Sequence, residues 1–314
     1  MTSFAILIAL ALEFLLPDVG RYRPSEWLEA MIRWMRGRFR DSAFWLGWPG
    51  VLVTLAVAPA IVGVVADALD DSGGFMQALL LLFSAVVLVF CLRVRELWEP
   101  VRAYLRLGSA ADETCRRARM REILGHEPEG DADRWPDQIM VVLLSQATER
   151  LFGPLFWFVV LGPVGAALFY VAGLLKDEVG GVDGRVDALP AAGGVEPRGD
   201  DAFAQAAQTA YRVLAAVPLR LLVMAYSLVG SFMDTLEGWR AYEFRCLGLV
   251  RDDQGALAVC AGFGALSMDA PGSRLEDAPM PGMAEVEAML RLQQRALVVW
   301  VAAVAVLWMV GVLS

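Results

Sequence analysis

Four charged side chains in or beside apolar stretches are the residues of this sequence best placed to do chemistry. Glu13 and Arg220 each interrupt an apolar run, while Glu149 and Asp177 lie just outside the uncharged stretch 151–175. A carboxylate can accept a proton from a reacting group, and an arginine can hold a phosphate or carboxylate with two parallel hydrogen bonds. We therefore take these four residues as candidates for a polar pocket between membrane helices.

A charge inside a bilayer needs a partner, water or access to the headgroups, because its insertion costs about 2.5–3.5 kcal/mol. Arg220 lies near the middle of its apolar block and is a better pocket candidate than Arg212, which lies near the start. Glu13 is the obvious partner for Arg220. The predicted topology nevertheless separates the two by roughly 12 Å along the membrane normal, so direct pairing requires the first helix to lie deeper.

Other kinds of site are not indicated by the composition. The four cysteines include no Cys-x-x-Cys pair and there is one histidine, so no set of zinc ligands is apparent. The sequence has no Gly-x-x-x-x-Gly-Lys-Ser/Thr loop, and its arginines are mixed with acids rather than with aromatic residues. We expect no metal, no cofactor and no nucleic-acid partner.

The elements that must position the candidates are membrane helices. The chain has 314 residues, is 57% hydrophobic and has a mean hydropathy of +0.52. Its apolar residues come in uncharged blocks of about 20, the length that crosses a hydrocarbon core of about 30 Å. This predicts an all-α, polytopic membrane protein with about five or six transmembrane or membrane-embedded helices. The predicted helices are 3–17, 44–66, 75–93, 151–175, 209–233 and 296–313.

Arginine-rich segments predict the orientation of these helices in the membrane. Arginines cluster in 18–41 and 93–134, whereas 67–74 and 176–208 contain few. The excess of basic residues in cytoplasmic loops then places 18–43, 94–150 and 234–294 in the cytoplasm. The segment 176–208, rich in glycine and acids, is predicted to be a mobile periplasmic loop.

Helix-breaking residues within these blocks are predicted to bend helices or to let them approach closely. Pro218 removes a backbone donor two residues before Arg220 and should kink that helix. The glycines and the second proline of the stretch 151–175 should bend its middle and allow helix contact. The residues assigned to bending or packing are Pro154, Gly162, Pro163, Gly165 and Pro218.

Two stretches resemble the AmpE family of bacterial inner-membrane proteins. They are ERLFGPLFWFVVLGPVGAALFYV and RVLAAVPLRLLVMAYSLVG, and LALEF and VRAYLRLGSAADE lie in the same order before them. The resemblance implies a non-enzymatic regulator or sensor of beta-lactamase induction and cell-wall recycling. Such a protein would have the lipid bilayer around it and a cytoplasmic or membrane protein, or a small cell-wall-derived ligand, as its partner.

AmpE proteins are in turn distantly similar to the CobD/CbiB membrane proteins, which join aminopropanol phosphate to a corrinoid side chain. That resemblance implies an alternative: an amide-forming membrane enzyme acting on a phosphate-bearing substrate. The family's Tyr, followed seven residues later by Asp, is matched by Tyr170 and Asp177. The chain departs from the family pattern around Arg23-Pro24, where His-Pro is expected, and lacks the Asn-Thr-x-Asp run before Pro-Leu-Phe. A transporter is a third alternative, disfavoured by the lack of an inverted repeat.

Overall fold

The computed structural model describes residues 28, 30–35, 47–70, 74–107, 112–180, 199–245, 253–271 and 281–310. Across these ranges every regular element is helical. The α-helices are α1 (Trp48–Asp70), α2 (Gly74–Cys91), α3 (Val94–Leu107), α4 (Glu113–Leu124), α5 (Trp135–Ala147), α6 (Gly153–Gly180), α7 (Gly199–Val229), α8 (Phe232–Arg245), α9 (Asp253–Ala265) and α10 (Met283–Met309). A π-helical turn, Thr148–Phe152, joins α5 to α6.

Several of these helices have the length and composition of membrane spans, which confirms the predicted all-α membrane fold. Four such stretches are Trp48–Leu69, Ala132–Glu178, Ala202–Val229 and Met283–Leu307. A fifth is reached if α2 and α3, which are bent by 47° at a short break, are counted together. A lipid bilayer is therefore the environment of this protein.

The helices extend further into polar sequence than the uncharged blocks predicted. The helix expected at 296–313 begins at Met283, and the helix expected at 209–233 runs from Gly199 to Val229. Helix ends that pack on other helices, rather than on lipid, tolerate charged residues on their outer faces. The proposed loop 176–208 is helical at both ends, and its residues 181–198 lie outside the described ranges, as does the predicted helix 3–17.

The uncharged stretch 151–175, which was predicted to be one membrane-embedded helix with a bent middle, is a helical hairpin. Gly162 has φ 66° and ψ −153°, which interrupts α6 between residues 161 and 163. A Cβ atom placed on Gly153 would lie 2.1 Å from the Phe169 ring, and one on Gly165 would lie 2.2 Å from the Trp157 carbonyl oxygen. The two arms of α6 therefore lie antiparallel, with a glycine facing a large residue at each close contact.

This hairpin is too short to cross a bilayer twice. Its uncharged arms, 151–161 and 163–175, measure roughly 16 and 20 Å as helices, against a hydrocarbon core of about 30 Å. The hairpin therefore brings the chain back to the end of the helix pair at which it began. Lys176 contacts Glu149 there, so residues 176–178 lie at the same end of the hairpin as Glu149, while the predicted orientation of the loops in the membrane stays a prediction.

Pro218 ties α6 to α7 through a backbone carbonyl. A proline at position 218 has no N–H for the carbonyl oxygen of Leu214, one helical turn earlier. The indole Nε1 of Trp157 donates to that oxygen at 2.9 Å. The bending residue identified in the sequence thus creates an acceptor that the neighbouring helix satisfies.

A buried glutamine joins three other helices at the centre of the larger apolar core. Gln293 of α10 is 0% exposed; its Nε2 donates to the Leu143 carbonyl oxygen of α5 at 2.6 Å, and its Oε1 accepts from Trp98 Nε1 of α3 at 2.9 Å. We call Gln293, Trp98 and Leu143 the Gln293 hub. Tyr226 of α7 also interacts with the Gln293 side chain.

Candidate functional site

Charged side chains from three parts of the chain meet at the open end of the α6 hairpin. We call them the charged cluster: Arg93, Glu96, Glu149, Arg150, Lys176 and Asp177. Lys176 Nζ forms a short ion pair with Glu149 Oε2 and lies 3.5 Å from Asp177 Oδ1. Arg93 Nε lies 2.5 Å from Glu96 Oε2, and Arg150 interacts electrostatically with Arg93, Glu96, Glu149 and Asp177.

The π-helical turn positions Glu149 and Arg150. Pro154 has no N–H to donate to the Arg150 carbonyl oxygen, so a regular α-helix cannot be completed there. The chain widens into a turn in which Gly153 N–H donates to the Thr148 carbonyl oxygen. The Arg150 carbonyl instead accepts from the backbone N–H of Arg93 at 2.9 Å. Such turns are frequent at functional sites.

The break between α2 and α3 brings Arg93 to the same place. α2 ends at Cys91 and α3 begins at Val94, so the backbone N–H of Arg93 is free to donate outside its own helices. Glu96 follows in the first turn of α3, within reach of the Arg93 guanidinium. Two irregularities of the backbone, one from each segment, therefore meet through one hydrogen bond.

The second arm of the hairpin supplies the remaining members and connects the charged cluster to α7. A Cβ atom on Gly173 would lie 3.5 Å from the Glu149 side chain, so the glutamate packs directly on this arm. One turn later, the Lys176 ammonium lies 4.3 Å from the centroid of the Tyr211 ring of α7. The Glu149 and Asp177 carboxyl groups also interact with each other.

The charged cluster is partly open to its surroundings. Side-chain exposure is 19% for Glu149, 24% for Lys176, 27% for Arg93 and 55% for Asp177. Three cations and three anions balance formally, so the pairs can form without a ligand. Because the groups are partly exposed, a charged ligand can reach them and exchange with these pairs, which a fully enclosed network would not allow. The cluster offers cations for an anionic group and carboxylates that can accept a proton.

The structure brings together two of the four candidates. Glu149 and Asp177 lie in the charged cluster, whereas Arg220 is exposed on α7 and its Nη1 donates to the Ala216 carbonyl oxygen of its own helix at 3.4 Å. Glu13 lies outside the described residues. Within the described ranges no group of His, Cys, Asp and Glu is arranged to hold a metal ion.

Sequence reasoning missed four members: Arg93, Glu96, Arg150 and Lys176. Arg93, Glu96 and Arg150 stand among many arginines and acids of residues 93–150, where nothing distinguishes them. Lys176 did carry a signal, since it is the one lysine of a chain whose other 26 basic residues are arginine. Its position directly before Asp177, at the end of the uncharged stretch, could have marked it.

Asp234 is a second polar site, outside the membrane spans. Its Oδ2 accepts hydrogen bonds from Ser231 Oγ at 2.7 Å and Ser267 Oγ at 2.6 Å. These donors favour the ionised form and hold the pKa of the Asp234 carboxyl below its usual value. The contacts fasten the start of α8 to the end of α9, where Gly230 and Gly264 also allow backbone contact. We assign this site to structure.

Comparison with known proteins gives one family. The CobD/Cbib protein family model matches residues 6–182, more than half of the chain, and this range contains the whole charged cluster. No curated protein and no solved structure matches. The predicted distant similarity to CobD/CbiB is thereby confirmed, whereas the AmpE assignment and its link to beta-lactamase induction receive no support.

Proposed function

The chain belongs to the CobD/Cbib family, and from that membership we propose that it is a membrane enzyme of this type. Its reaction would join the amine of a phosphate-bearing substrate to an activated carboxyl group. The amide C–N bond forms as the bond between the carboxyl carbon and its activating group breaks, and the amine proton passes to a carboxylate of the protein. We place it in the inner membrane of a bacterium, with the charged cluster at the cytoplasmic face, where the arginine-rich segments belong.

The observation that carries the proposal is the charged cluster, which lies entirely within the matched range and at two backbone irregularities. Arg93 and Arg150 are its arginines. A guanidinium presents donors in a planar fork that suits phosphate oxygens, so these two residues are assigned to the phosphate group. Glu96, paired with Arg93 in the free protein, would be displaced by the incoming anion.

Glu149 and Asp177 are assigned to the amine. An amine must lose its proton to act as a nucleophile, and a carboxylate within hydrogen-bond reach can take that proton. Lys176 lies between the two carboxylates and holds them in place. Tyr170 and Asp177 match the Tyr and Asp of the family and lie two turns apart on one face of the second arm. Tyr170 also interacts with Arg93.

Complementation tests the function. We expect the chain to restore cobalamin synthesis in a bacterium that lacks its own CobD/CbiB protein, and Arg150→Gln to abolish that rescue. Arg106→Gln is the matched control, because Arg106 is an exposed arginine 2.7 Å from Glu99 and outside the charged cluster. Failure of the unaltered, folded chain to complement would contradict the proposal. A change in beta-lactamase induction in the same experiment would point instead to the regulatory function.

Binding separates the two assigned roles. Aminopropanol phosphate should raise the unfolding temperature of the purified protein in detergent, whereas aminopropanol without phosphate should not. Arg150→Gln should remove this response. Glu149→Gln should retain it while amide formation falls by roughly a hundredfold or more, the usual range for loss of a general base. Equal responses to both compounds would contradict the phosphate assignment.

A further inference from the structure

An aromatic ring of α7 touches the charged cluster from outside the α6 hairpin. Lys176 Nζ lies over the ring of Tyr211, 4.3 Å from its centroid, and also pairs with Glu149 and Asp177. Tyr211 is buried, so solvent has little access to its ring. An ammonium over a ring is attracted to the negative face of the π-system, more strongly where water is excluded. The family match ends at residue 182, so this helix lies beyond it.

The Tyr211 ring is packed against both arms of the hairpin. Its centroid lies 5.7 Å from that of Phe169, a buried residue of the second arm. Phe169 in turn fills the space beside Gly153 of the first arm, where a Cβ atom would lie 2.1 Å from its ring. Phe169 and Lys176 are two helical turns apart and lie on one face of the second arm. One ring of α7 therefore contacts the arm at both of these residues.

A second contact fastens the same part of α7 to the first arm. The Trp157 indole donates to the Leu214 carbonyl oxygen at 2.9 Å. Leu214 follows Tyr211 by three residues, which places the two on neighbouring positions of one helix face. α7 thus holds the first arm through Trp157 and the second through Tyr211. The geometry at the open end of the hairpin, where the charged cluster lies, depends on this helix.

We propose that Tyr211 is a positioning residue for the proposed reaction: its ring holds the Lys176 ammonium between Glu149 and Asp177. The inference rests on the proposed function, because it concerns the two carboxylates assigned to the amine. A lysine ammonium is a point charge on a flexible stem and has no preferred direction of its own. A ring face restricts its position electrostatically and accepts no conventional hydrogen bond, so the N–H donors stay directed at the carboxylates. Tyr211 acts through Lys176 and does not touch the substrate.

The position of the ammonium matters for proton transfer. A carboxylate takes the amine proton only from within hydrogen-bond reach. Glu149 precedes the first arm and Asp177 follows the second, and Lys176 is the cation that contacts both. Without the ring, the ammonium would be free to follow either carboxylate away from the other. A misplacement of about 1 Å can slow a reaction by roughly a hundredfold.

Packing alone is the competing explanation for Tyr211, because its ring belongs to an apolar cluster. A packing role requires a large apolar side chain of any kind, whereas the contact with Lys176 requires an aromatic ring but no hydroxyl group. Tyr211→Leu and Tyr211→Phe therefore separate the two roles. Both variants keep a large side chain, and only the second keeps the π-system.

Kinetics of amide formation by the purified protein test the proposal. Tyr211→Leu should lower kcat roughly tenfold and leave KM for aminopropanol phosphate within about twofold, since the arginines hold the phosphate. Tyr211→Phe should recover kcat to within about twofold of the unaltered chain. Tyr226→Leu is the matched control: Tyr226 is a buried tyrosine of the same helix that interacts with Gln293. It should lower the unfolding temperature without changing kcat per folded molecule. Equal kcat for Tyr211→Leu and Tyr211→Phe would overturn the inference.

A spectroscopic signal tests the contact without any turnover. Lys176 is the one lysine of the chain, so reductive methylation with ¹³C-formaldehyde labels this side chain and the α-amino group alone. Methylation keeps the charge of the lysine. The ring current of Tyr211 should shift the methyl resonance of Lys176 upfield in the unaltered chain and in Tyr211→Phe, but not in Tyr211→Leu. Lys176→Arg identifies the resonance by removing it.

The two measurements distinguish failure of this inference from failure of the proposed function. A folded, unaltered chain that forms no amide would contradict the proposed function and with it the role of Tyr211 in that reaction. A chain that forms amide while its Lys176 resonance is the same in Tyr211→Leu as in the unaltered protein would overturn the inference alone.

Discussion

The Gln293 hub and the charged cluster both place polar groups among apolar helices, but their construction differs in two respects. The hub is neutral, and its groups lie in regular helices with exposures of 0% for Gln293 and 2% for Trp98. The charged cluster consists of ions at a π-helical turn and a helix break, and its side chains are partly exposed. In the hub each polar group has a fixed partner, whereas in the cluster the ions can change partners.

This difference separates stability from binding. A buried amide with complementary neutral partners contributes to the folded state and has nothing to offer an incoming ion. Partly exposed ion pairs contribute less to stability, because solvent and salt weaken them, yet they can exchange with a charged ligand. The two regions differ both in charge and in backbone regularity, so comparing them cannot separate the two properties. Variants at other sites, where only one of the two properties is present, can test which of them affects stability.

The largest expected effect is on the hub. Gln293→Leu would leave the Trp98 indole N–H and the Leu143 carbonyl without their side-chain partner, at a cost of about 2–4 kcal/mol in the free energy of unfolding. Thermal unfolding of the purified protein in detergent measures this. Gln294→Leu is the matched control, since Gln294 is adjacent and only half-buried, and it should change stability little. A variant that kept its stability but lost the response to aminopropanol phosphate would break the distinction between hub and charged cluster.

An intermediate effect is expected for the neutral hydrogen bond between Trp157 and α7, the helix that contains Pro218. Trp157→Phe removes the donor to the Leu214 carbonyl oxygen and should cost about 1 kcal/mol. Pro218→Ala restores a backbone N–H at the position that normally bonds to that carbonyl. In the Pro218→Ala background, Trp157→Phe should therefore cost clearly less, as measured by a double-mutant cycle of unfolding temperatures. Equal costs in both backgrounds would show that the indole acts through packing alone.

The uncharged blocks were enough to predict the membrane helices but not the hairpin. An apolar stretch of 25 residues satisfies the same hydropathy criterion whether it crosses once or turns back at its middle. Gly162-Pro163 indicated a bend, but its size depends on contacts such as Gly153 with Phe169, which only the folded chain brings together. The turn explains why Glu149 and Lys176 could not be paired from sequence: a straight helix would put them roughly 40 Å apart.

The remaining site residues were hidden for different reasons. Arg93 reaches the charged cluster because α2 and α3 are separated by a break, and apolar patterning placed the end of a helix there without indicating its partner. Gln293 stands between Arg291 and Arg295, in sequence that is typical of an exposed helix face. Its burial follows from the packing of α3 and α5 around it. Arg220, which the sequence did single out, stands in an apolar run of α7 in which Val217 and Met224 are also exposed.

The smallest expected effect concerns a charge with neutral partners at an ordinary helix end. The pKa of Asp234 is lower in the folded protein because Ser231 and Ser267 donate to its carboxylate. A carboxyl whose pKa is lowered by folding stabilises the protein at pH values above its unfolded pKa, which is about 3.9, and this contribution is lost as the pH falls through the lower, folded value. Asp234→Asn should therefore lower the unfolding temperature slightly at pH 7, and the difference from the unaltered chain should shrink below about pH 4.

Ser267→Ala, which removes one of the two donors, should give a smaller difference with the same pH dependence. A difference that stayed constant with pH would mean that the ionised carboxylate does not contribute. In that case the charge of Asp234 would not distinguish its hydrogen bonds from the neutral hydrogen bonds of the Gln293 hub.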